Sequence, residues 1–328
     1  MASKNLNVAV IGLGYMGQNH ARVFSSMAGV NLVAVVDIDE QKVGKLIRQY
    51  KIAGYTDYQK LLVKEKLAAV SICVPTSLHY EIASLVIKKR IPVFVEKPIA
   101  ATVDQAKKLI AAAARYRTPM MVGHIERFNP VVLEIKQRIT SGELGKIFLI
   151  HTERFSPPPL ADQKVPITVD LATHDIDVIF FLLDGEAPIK IKAEVASVSH
   201  TKSDLVSAIL RFRKGVVGII QASLVHPIKK RMITILGEKG MYVANYITQE
   251  LYFYRQNREL FARESFPGFN NKADIIKIAF ESKEPLGVEL EAFIHSLRMR
   301  KVMPVAAGDA LRALEVAYKI EKAGNLML

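Results

Sequence analysis

The chain has a single cysteine, Cys73, among 328 residues. One thiol rules out an intrachain disulfide framework and a zinc site built on cysteines, and it suits a reducing compartment. Long apolar runs are missing as well. No stretch reaches the roughly 18 apolar residues of a membrane span, and MASKNLNVAVIGLGYMG enters a strand and a glycine turn without a signal-peptide core. The expectation is a soluble, cytoplasmic protein with no membrane partner. Basic blocks are short. The net charge of +13, from 45 Lys plus Arg against 32 Asp plus Glu, favours polyanions: nucleic acid, a membrane surface or a phosphate-bearing metabolite. Yet no basic block exceeds three residues, as in Lys88-Lys89-Arg90 and Lys229-Lys230-Arg231, and no aromatic residues interleave with them. Most of the excess therefore reads as solvated surface, and nucleic acid is not expected as a partner. Internal repeats and low-complexity tracts are absent too. What is present, 50% hydrophobic and 23% charged residues, is enough for about two globular domains.

The first third alternates strand and helix patterns. Strand patterns fall at Asn7 to Ile11, Asn31 to Asp37, Ala68 to Val74, Val93 to Glu96 and Met120 to Gly123. Helical patterns fall near Tyr15 to Met27, Glu40 to Tyr50, Tyr58 to Glu65, Leu78 to Lys89 and Val103 to Tyr116. This alternation predicts an α/β doubly wound parallel sheet of Rossmann type over 1–125. After Ile125 the texture changes. A helix near Pro130 to Thr140 leads to the strand-like KIFLIHTERF, a proline turn (Pro157 to Pro159) and the apolar helix DLATHDIDVIFFLL. Four or more strand-like runs follow, among them Ala193 to Ser199, Ser207 to Phe212, Gly215 to Ala222 and Arg231 to Leu236. A polar loop is expected near Arg263 to Lys272, and helices near Leu286 to Met299 and Asp309 to Lys322 close the chain. This predicts an α+β domain over 126–328 with a largely antiparallel, open-faced sheet, its last helix packing back on the first domain.

Gly12-Leu13-Gly14-Tyr15-Met16-Gly17 follows NVAVI and precedes a helix. In such a turn Gly12 permits the tight bend, Gly14 lets a pyrophosphate approach, and Gly17 lets helix and sheet pack closely. Asp37, twenty residues after Gly17, ends the second strand, where a carboxylate accepts from ribose hydroxyls and repels a 2′-phosphate. No Arg or Ser follows at once, so NAD rather than NADP is the expected cofactor. Two further strand ends carry polar loops, Pro75-Thr76-Ser77-Leu78-His79 and Glu96-Lys97-Pro98, and ligands of an open α/β sheet lie outside such ends. His79 reads either as a nicotinamide neighbour or as a helix-start histidine facing solvent.

Asp170, His174 and Asp177 are four and three residues apart, along one face at the head of a helix that continues into VIFFLL. A carboxylate beside an imidazole fixes its tautomer, which makes His174 a credible general base near neutral pH. Hydride transfer from a carbinol needs such a base, and also a positive group beside the oxygen as it becomes a carbonyl. Lys97 is placed to supply the second. Glu96 then helps set the loop, and Pro98, through a cis bond, fixes the turn. The three helix residues read equally as a polar helix face with Asp170 as N-cap. As metal ligands they lack a fourth partner pattern, and no metal is expected.

With these pieces in order, the chain resembles the glucose-fructose oxidoreductase and inositol dehydrogenase family, often written Gfo/Idh/MocA, over essentially its whole length. The likeness rests on GLGYMG, VPTSLHYE, VEKPIA, VGHIERFNP, DLATHDID and the closing EPLGVELEAFIHSLRMRKVMPVAAGDALRALEVA, above all on the Glu-Lys-Pro strand end combined with a D-x-x-x-H helix. It implies that Lys97 and His174 are catalytic and that Asp170 assists, all three touching substrate. It implies an NAD site of Gly12, Gly14, Tyr15, Met16, Gly17, Asp37, Pro75, Thr76, His79, Glu96 and Lys97, with Arg127 near the nicotinamide. Many members have a glycine before the histidine. Thr173 stands there in this chain, which implies a differently shaped helix start.

GHIERFNP with DLATHDID resembles the family's nucleotide-sugar branch, which implies a UDP-N-acetylhexosamine oxidised at C3 to the 3-keto sugar. A diphosphate substrate suits Lys229, Lys230 and Arg231 as point charges and a fork, and a solvated turn explains the triplet equally well. A free sugar, inositol or a biliverdin-like acceptor stays open as substrate. So does a non-enzymatic NAD-binding regulator, because fold alone does not establish activity. Runs such as VVGIIQASLV leave the open sheet face apolar, which predicts a homodimer or homotetramer through it.

Overall fold

The computed structural model describes residues 5–158, 165–199, 201–255 and 274–324; Pro159 of the proline turn and the polar loop near Arg263 to Lys272 lie outside them. The chain forms two compact units, Met1–Ile125 with Glu284–Leu314, and Glu126–Lys283 with Glu315–Leu328. Residues 284–314, assigned to the second domain by the sequence reading, thus cluster with the first unit. The reason is apolar: Phe293 packs edge-on against Phe94, ring centroids 5.6 Å apart.

The first unit is built on β1 (Leu6–Ile11), β2 (Val30–Val36), β3 (Ala53–Tyr55), β4 (Ala69–Ile72), β5 (Val93–Glu96) and β6 (Met120–Gly123). Their order is β3-β2-β1-β4-β5-β6 and every pairing is parallel, as the alternation predicts. Between them run α1 (Tyr15–Ser26), α2 (Glu40–Tyr50), α3 (Tyr58–Lys64), α4 (Thr76–Lys88) and α5 (Val103–Tyr116). β4 and β5 are buried at every residue, as strands covered on both faces are. Side chains cap α2, α3 and α5 through Asp39, Asp57 and Thr102. β1 lies between β2 and β4, so the strand order reverses there, which is where an open α/β sheet receives its ligand. Helix α8 (Pro285–Met299) belongs to this unit as well.

The second unit carries α6 (Pro130–Thr140), β7 (Ile147–Phe155), a π turn (Thr168–Ala172) that runs into α7 (Thr173–Leu182), and β8 (Lys190–Ala196), β9 (Leu205–Arg211), β10 (Val217–Ser223), β11 (Lys230–Gly237), β12 (Gly240–Asn245), β13 (Glu250–Arg255) and β14 (Asp274–Ile278). The sheet order is β14-β13-β12-β11-β7-β10-β9-β8. All pairings are antiparallel except β7 with β10, which is parallel. Residues alternate between the faces: Ile150, Val206, Ala208, Ile220 and Ile235 are buried, while Leu149, Ile209, Ile219 and Leu236 on the other face keep solvent contact. A last helix, α9 (Ala307–Gly324), ends the described chain. Among the described residues no helix is long and apolar enough to cross a membrane.

Candidate functional site

A cleft of about 750 Å³ opens in the first unit at the carboxyl ends of β1, β2, β4 and β5. Three glycines shape its floor. Gly12 holds φ +91°, and a Cβ there would lie 2.6 Å from the Cys73 carbonyl oxygen; a Cβ on Gly17 would lie 1.8 Å from the Gly12 oxygen. Gly14, by contrast, faces open space, with nothing within 4 Å of a Cβ. Gly14 also serves as the N-cap of α1 without a side-chain hydrogen bond, so the positive end of that helix is not closed off by a capping side chain.

At the β2 end, Asp37 accepts the Leu13 N–H through Oδ2 (2.6 Å) and the Asp39 N–H through Oδ1 (3.0 Å). Each oxygen keeps a second lone pair, enough for a diol. Lys42 lines the same end, 3.5 Å from Asp39. An open Gly14 before a helix N-terminus, an oriented carboxylate and a cleft of this volume fit a dinucleotide.

Of the residues expected to surround the cofactor, Gly12, Gly14, Tyr15, Met16, Asp37, Pro75, Glu96 and Lys97 line this cleft. Gly17, Thr76 and His79 are not in its lining. Gly17 acts from behind, and His79 is 1% exposed, neither facing solvent nor bordering the cleft. Its Nδ1 lies 2.8 Å from the Pro98 carbonyl oxygen and its Nε2 2.9 Å from that of Val74, so the ring ties together the loops after β4 and β5. Burial pushes its ionisation below the ordinary value, and the neutral ring donates to one of the two oxygens. The Lys97-Pro98 bond is cis, as the turn suggested.

The first unit holds one further group that the sequence reading missed. His20, fully buried on α1, has Nε2 3.0 Å from Glu96 Oε1 and Nδ1 2.8 Å from Ser71 Oγ. Glu96 in turn accepts the Lys97 backbone N–H through Oε2 at 3.1 Å. Burial acts to lower His20, but Cys73 and Glu96 outweigh it and raise the imidazole to about 10. Burial likewise acts to raise Glu96, yet His20 and Lys97 hold it below the ordinary carboxylate value. The signal available in sequence was a polar residue in phase with Gly17, Ala21 and Phe24, all buried on α1.

In the second unit, Asp170 stands in the π turn and His174 in the first turn of α7, both half-buried. Thr173 is buried, and its hydroxyl donates to the Val169 (2.7 Å) and Thr168 (3.1 Å) carbonyls; this back-bonding accompanies the wide turn at the helix start. Asp177 does not share an open face with the other two. It turns inward, where Arg127, from the 3-10 turn Ile125–Phe128, meets it through Nε (2.7 Å) and Nη2 (2.6 Å). Arg127 is thereby held in a buried fork. Beside it, Arg154 bonds Asp175 (2.8 and 3.0 Å) and Glu126 (2.8 Å), a cluster that the sequence reading did not foresee.

The basic triplet divides. Lys229 is exposed, Lys230 pairs with Glu153 at 2.7 Å, and Lys230 and Arg231 belong to β11 rather than to a turn. Arg231 faces Arg154 across the β11/β7 register and donates to Ser156 Oγ (2.6 Å) and to the Lys230 and Phe155 carbonyls. Burial and Arg154 bring its guanidinium down to about 10. Among the described residues, no group of three or more His, Cys, Asp or Glu is placed to hold a metal ion.

Two family models match the chain: GFO_IDH_MocA, an oxidoreductase family with an NAD-binding Rossmann fold, over residues 6–124, and the GFO/IDH/MocA C-terminal domain over residues 132–243. A UDP-N-acetylglucosamine 3-dehydrogenase of Acidithiobacillus ferrooxidans is 23% identical over 99% of both chains. A myo-inositol 2-dehydrogenase of Thermotoga maritima is 23% identical over 97% of this chain and 96% of its own. Among solved structures, the Acidithiobacillus enzyme has a TM-score of 0.84 at 21% identity, with 97% of each chain covered. A scyllo-inositol dehydrogenase from Lactobacillus casei, with bound NAD(H) and scyllo-inositol, has a TM-score of 0.80 at 18% identity, with 98% of this chain and 97% of that one covered. At these identities the structural likeness shows the fold.

Proposed function

The chain belongs to the GFO/IDH/MocA oxidoreductase family, and from that premise we propose that it oxidises a ring hydroxyl of a sugar, a UDP-N-acetylhexosamine at C3, to the 3-keto sugar. NAD, when bound, supplies the hydride acceptor. The observation that carries the reading is Lys97: it lines the dinucleotide cleft at the end of β5, its backbone held by the Glu96 carboxylate.

Lys97 donates to the substrate oxygen and stabilises the charge that develops there. His174 takes the hydroxyl proton as the carbon–hydrogen bond gives up its hydride, and Asp170, four residues earlier, supports the imidazolium that results. Asp37 accepts from the adenosine ribose hydroxyls and disfavours a 2′-phosphate, which favours NAD over NADP. Arg231, half-buried and bonded only to neutral oxygens among the described residues, remains a charge for an anionic part of the substrate. The choice of a nucleotide sugar rests on the full-length relative that carries that activity in its name. Relatives named for inositol make inositol the second reading.

The test is NADH absorbance after purified protein meets NAD and UDP-N-acetylglucosamine, with free N-acetylglucosamine, myo-inositol and the corresponding uronate in parallel. Turnover confined to the nucleotide sugar supports the first reading, and turnover on inositol the second. Bound NAD without turnover on any of them rejects both.

A further inference from the structure

We propose that His20 is a positioning residue for Lys97: from beneath the cofactor cleft its imidazole holds the Glu96 carboxylate in the orientation that grips the Lys97 backbone. The inference rests on the role given to Lys97 above.

The geometry leaves Glu96 little freedom. One carboxylate oxygen is taken by His20 Nε2 and the other by the Lys97 N–H, at 3.0 and 3.1 Å. Gly123, paired with Glu96 across β5 and β6, makes room for it: a Cβ there would lie 3.1 Å from Glu96 Cδ and Oε1. The carboxylate is thus laid against the neighbouring strand, where a Cβ at position 123 would press on it and on the Phe94 ring.

His20 is fixed just as closely. Its ring stands edge-on to Phe94 (centroids 5.3 Å apart) and Phe24 (6.3 Å), and Ser71 Oγ meets the nitrogen that does not face Glu96. Glu96 is 8% exposed and His20 not at all, and a charge so buried is costly unless paired. Each is the partner that makes the other tolerable. The ionisable groups facing the pair are Cys73, just past the end of β4, Lys97, just past the end of β5, and His79 on α4.

A fold that only needed to fill this space would place an apolar side chain on the buried face of α1, beside Ala21 and Phe24. An imidazole with a matched carboxylate has a further consequence: the residue after that carboxylate is the lysine that lines the cleft. Without the imidazole, Glu96 keeps the Lys97 N–H as its only hydrogen bond among the described residues, and burial drives it to take up a proton. The protonated acid is a weaker acceptor, and the Lys97 backbone loosens.

The experiment compares wild type with His20→Leu and His20→Gln, the latter keeping a donor for Glu96. The first readout needs no turnover. In amide NMR of the full chain with NAD present, the Lys97 N–H, donating to a carboxylate, moves upfield in His20→Leu and stays near its wild-type position in His20→Gln. The second is steady-state kinetics with NAD and UDP-N-acetylglucosamine. Here kcat falls about 10- to 100-fold in His20→Leu while KM for NAD changes less than about threefold, and His20→Gln recovers part of the loss. The acid limb of the kcat profile also moves up by about one pH unit or more in His20→Leu.

An unmoved Lys97 amide overturns the proposal, as does a folded, NAD-binding His20→Leu with wild-type kcat and pH profile. Absence of wild-type turnover rejects the sugar-oxidising reading instead, and the amide shift still decides whether His20 holds Lys97.

Discussion

Arg127 grips Asp177 through two hydrogen bonds of 2.7 and 2.6 Å, and both side chains are almost wholly buried. A fork of this kind is costly to break from one side, because the remaining charge stays buried without its partner. Arg127→Met is expected to lower stability by about 3–5 kcal/mol, whereas Arg127→Met with Asp177→Leu recovers most of the loss. Urea unfolding of the two variants beside wild type checks this. Equal loss in the single and double variants would mean that the pair is not what holds the region.

Asp37 is oriented by the Leu13 and Asp39 amides. Asp37→Ser removes the charge that repels a 2′-phosphate and keeps a hydroxyl, so the NAD/NADP ratio of kcat/KM should fall by about tenfold or more. The ratio measured with both cofactors on one substrate decides it. An unchanged ratio points to Lys42, in the same wall of the cleft, as the selective group.

Lys97→Ala and His174→Ala are each expected to cost about 10²- to 10⁴-fold in kcat while NAD binding persists. Fluorescence titration with NADH beside the turnover assay separates binding from chemistry. Retention of full activity in either variant removes that residue from the mechanism.

The His20–Glu96 pair also makes stability depend on pH. His20 is raised from 6.5 to about 10, so its contribution is complete below about 6.5 and is lost as pH climbs toward 10. Glu96 lies below its ordinary 4.5, so its contribution is present above that value and fades as pH falls through the lowered folded-state value. The advantage of wild type over a His20→Leu, Glu96→Leu variant in urea midpoint should therefore be greatest near pH 5–6 and shrink steadily between about 6.5 and 10. A constant difference over that range would show that the pair does not titrate as a unit.

Ile209 and Leu236 stand on the open face of the second sheet, 50% and 38% exposed. With Leu149, Val217 and Ile219 beside them they form an apolar patch at the centre of that face, ringed by polar residues such as His151, Gln221 and Thr234, and such a patch is expected to be covered by a second copy of the chain. Light scattering at micromolar concentration should give a dimer or tetramer for wild type and a smaller species for Ile209→Asp with Leu236→Asp. A monomeric wild type removes the idea.

Much of this protein is written in short-range chemistry. Glu40–Tyr50, Val103–Tyr116, Pro130–Thr140, Val93–Glu96 and Met120–Gly123 stand at the residues that periodicity and turn signals mark, because caps, breakers and apolar phase act within a few residues. The glycine turn is legible for the same reason: Gly12 and Gly17 admit no side chain, and Gly14 keeps the helix end open. The three-residue β3 escapes, since AGY is too short to show a period. What tertiary structure alone decided is the fate of polar residues on apolar faces. His20 lies 76 residues from Glu96, Arg127 50 from Asp177 and Arg154 21 from Asp175. Spacing along α7 put Asp177 beside His174, and the position of Arg127 drew it inward. A buried charge follows its partner, and only the folded chain shows where that partner is.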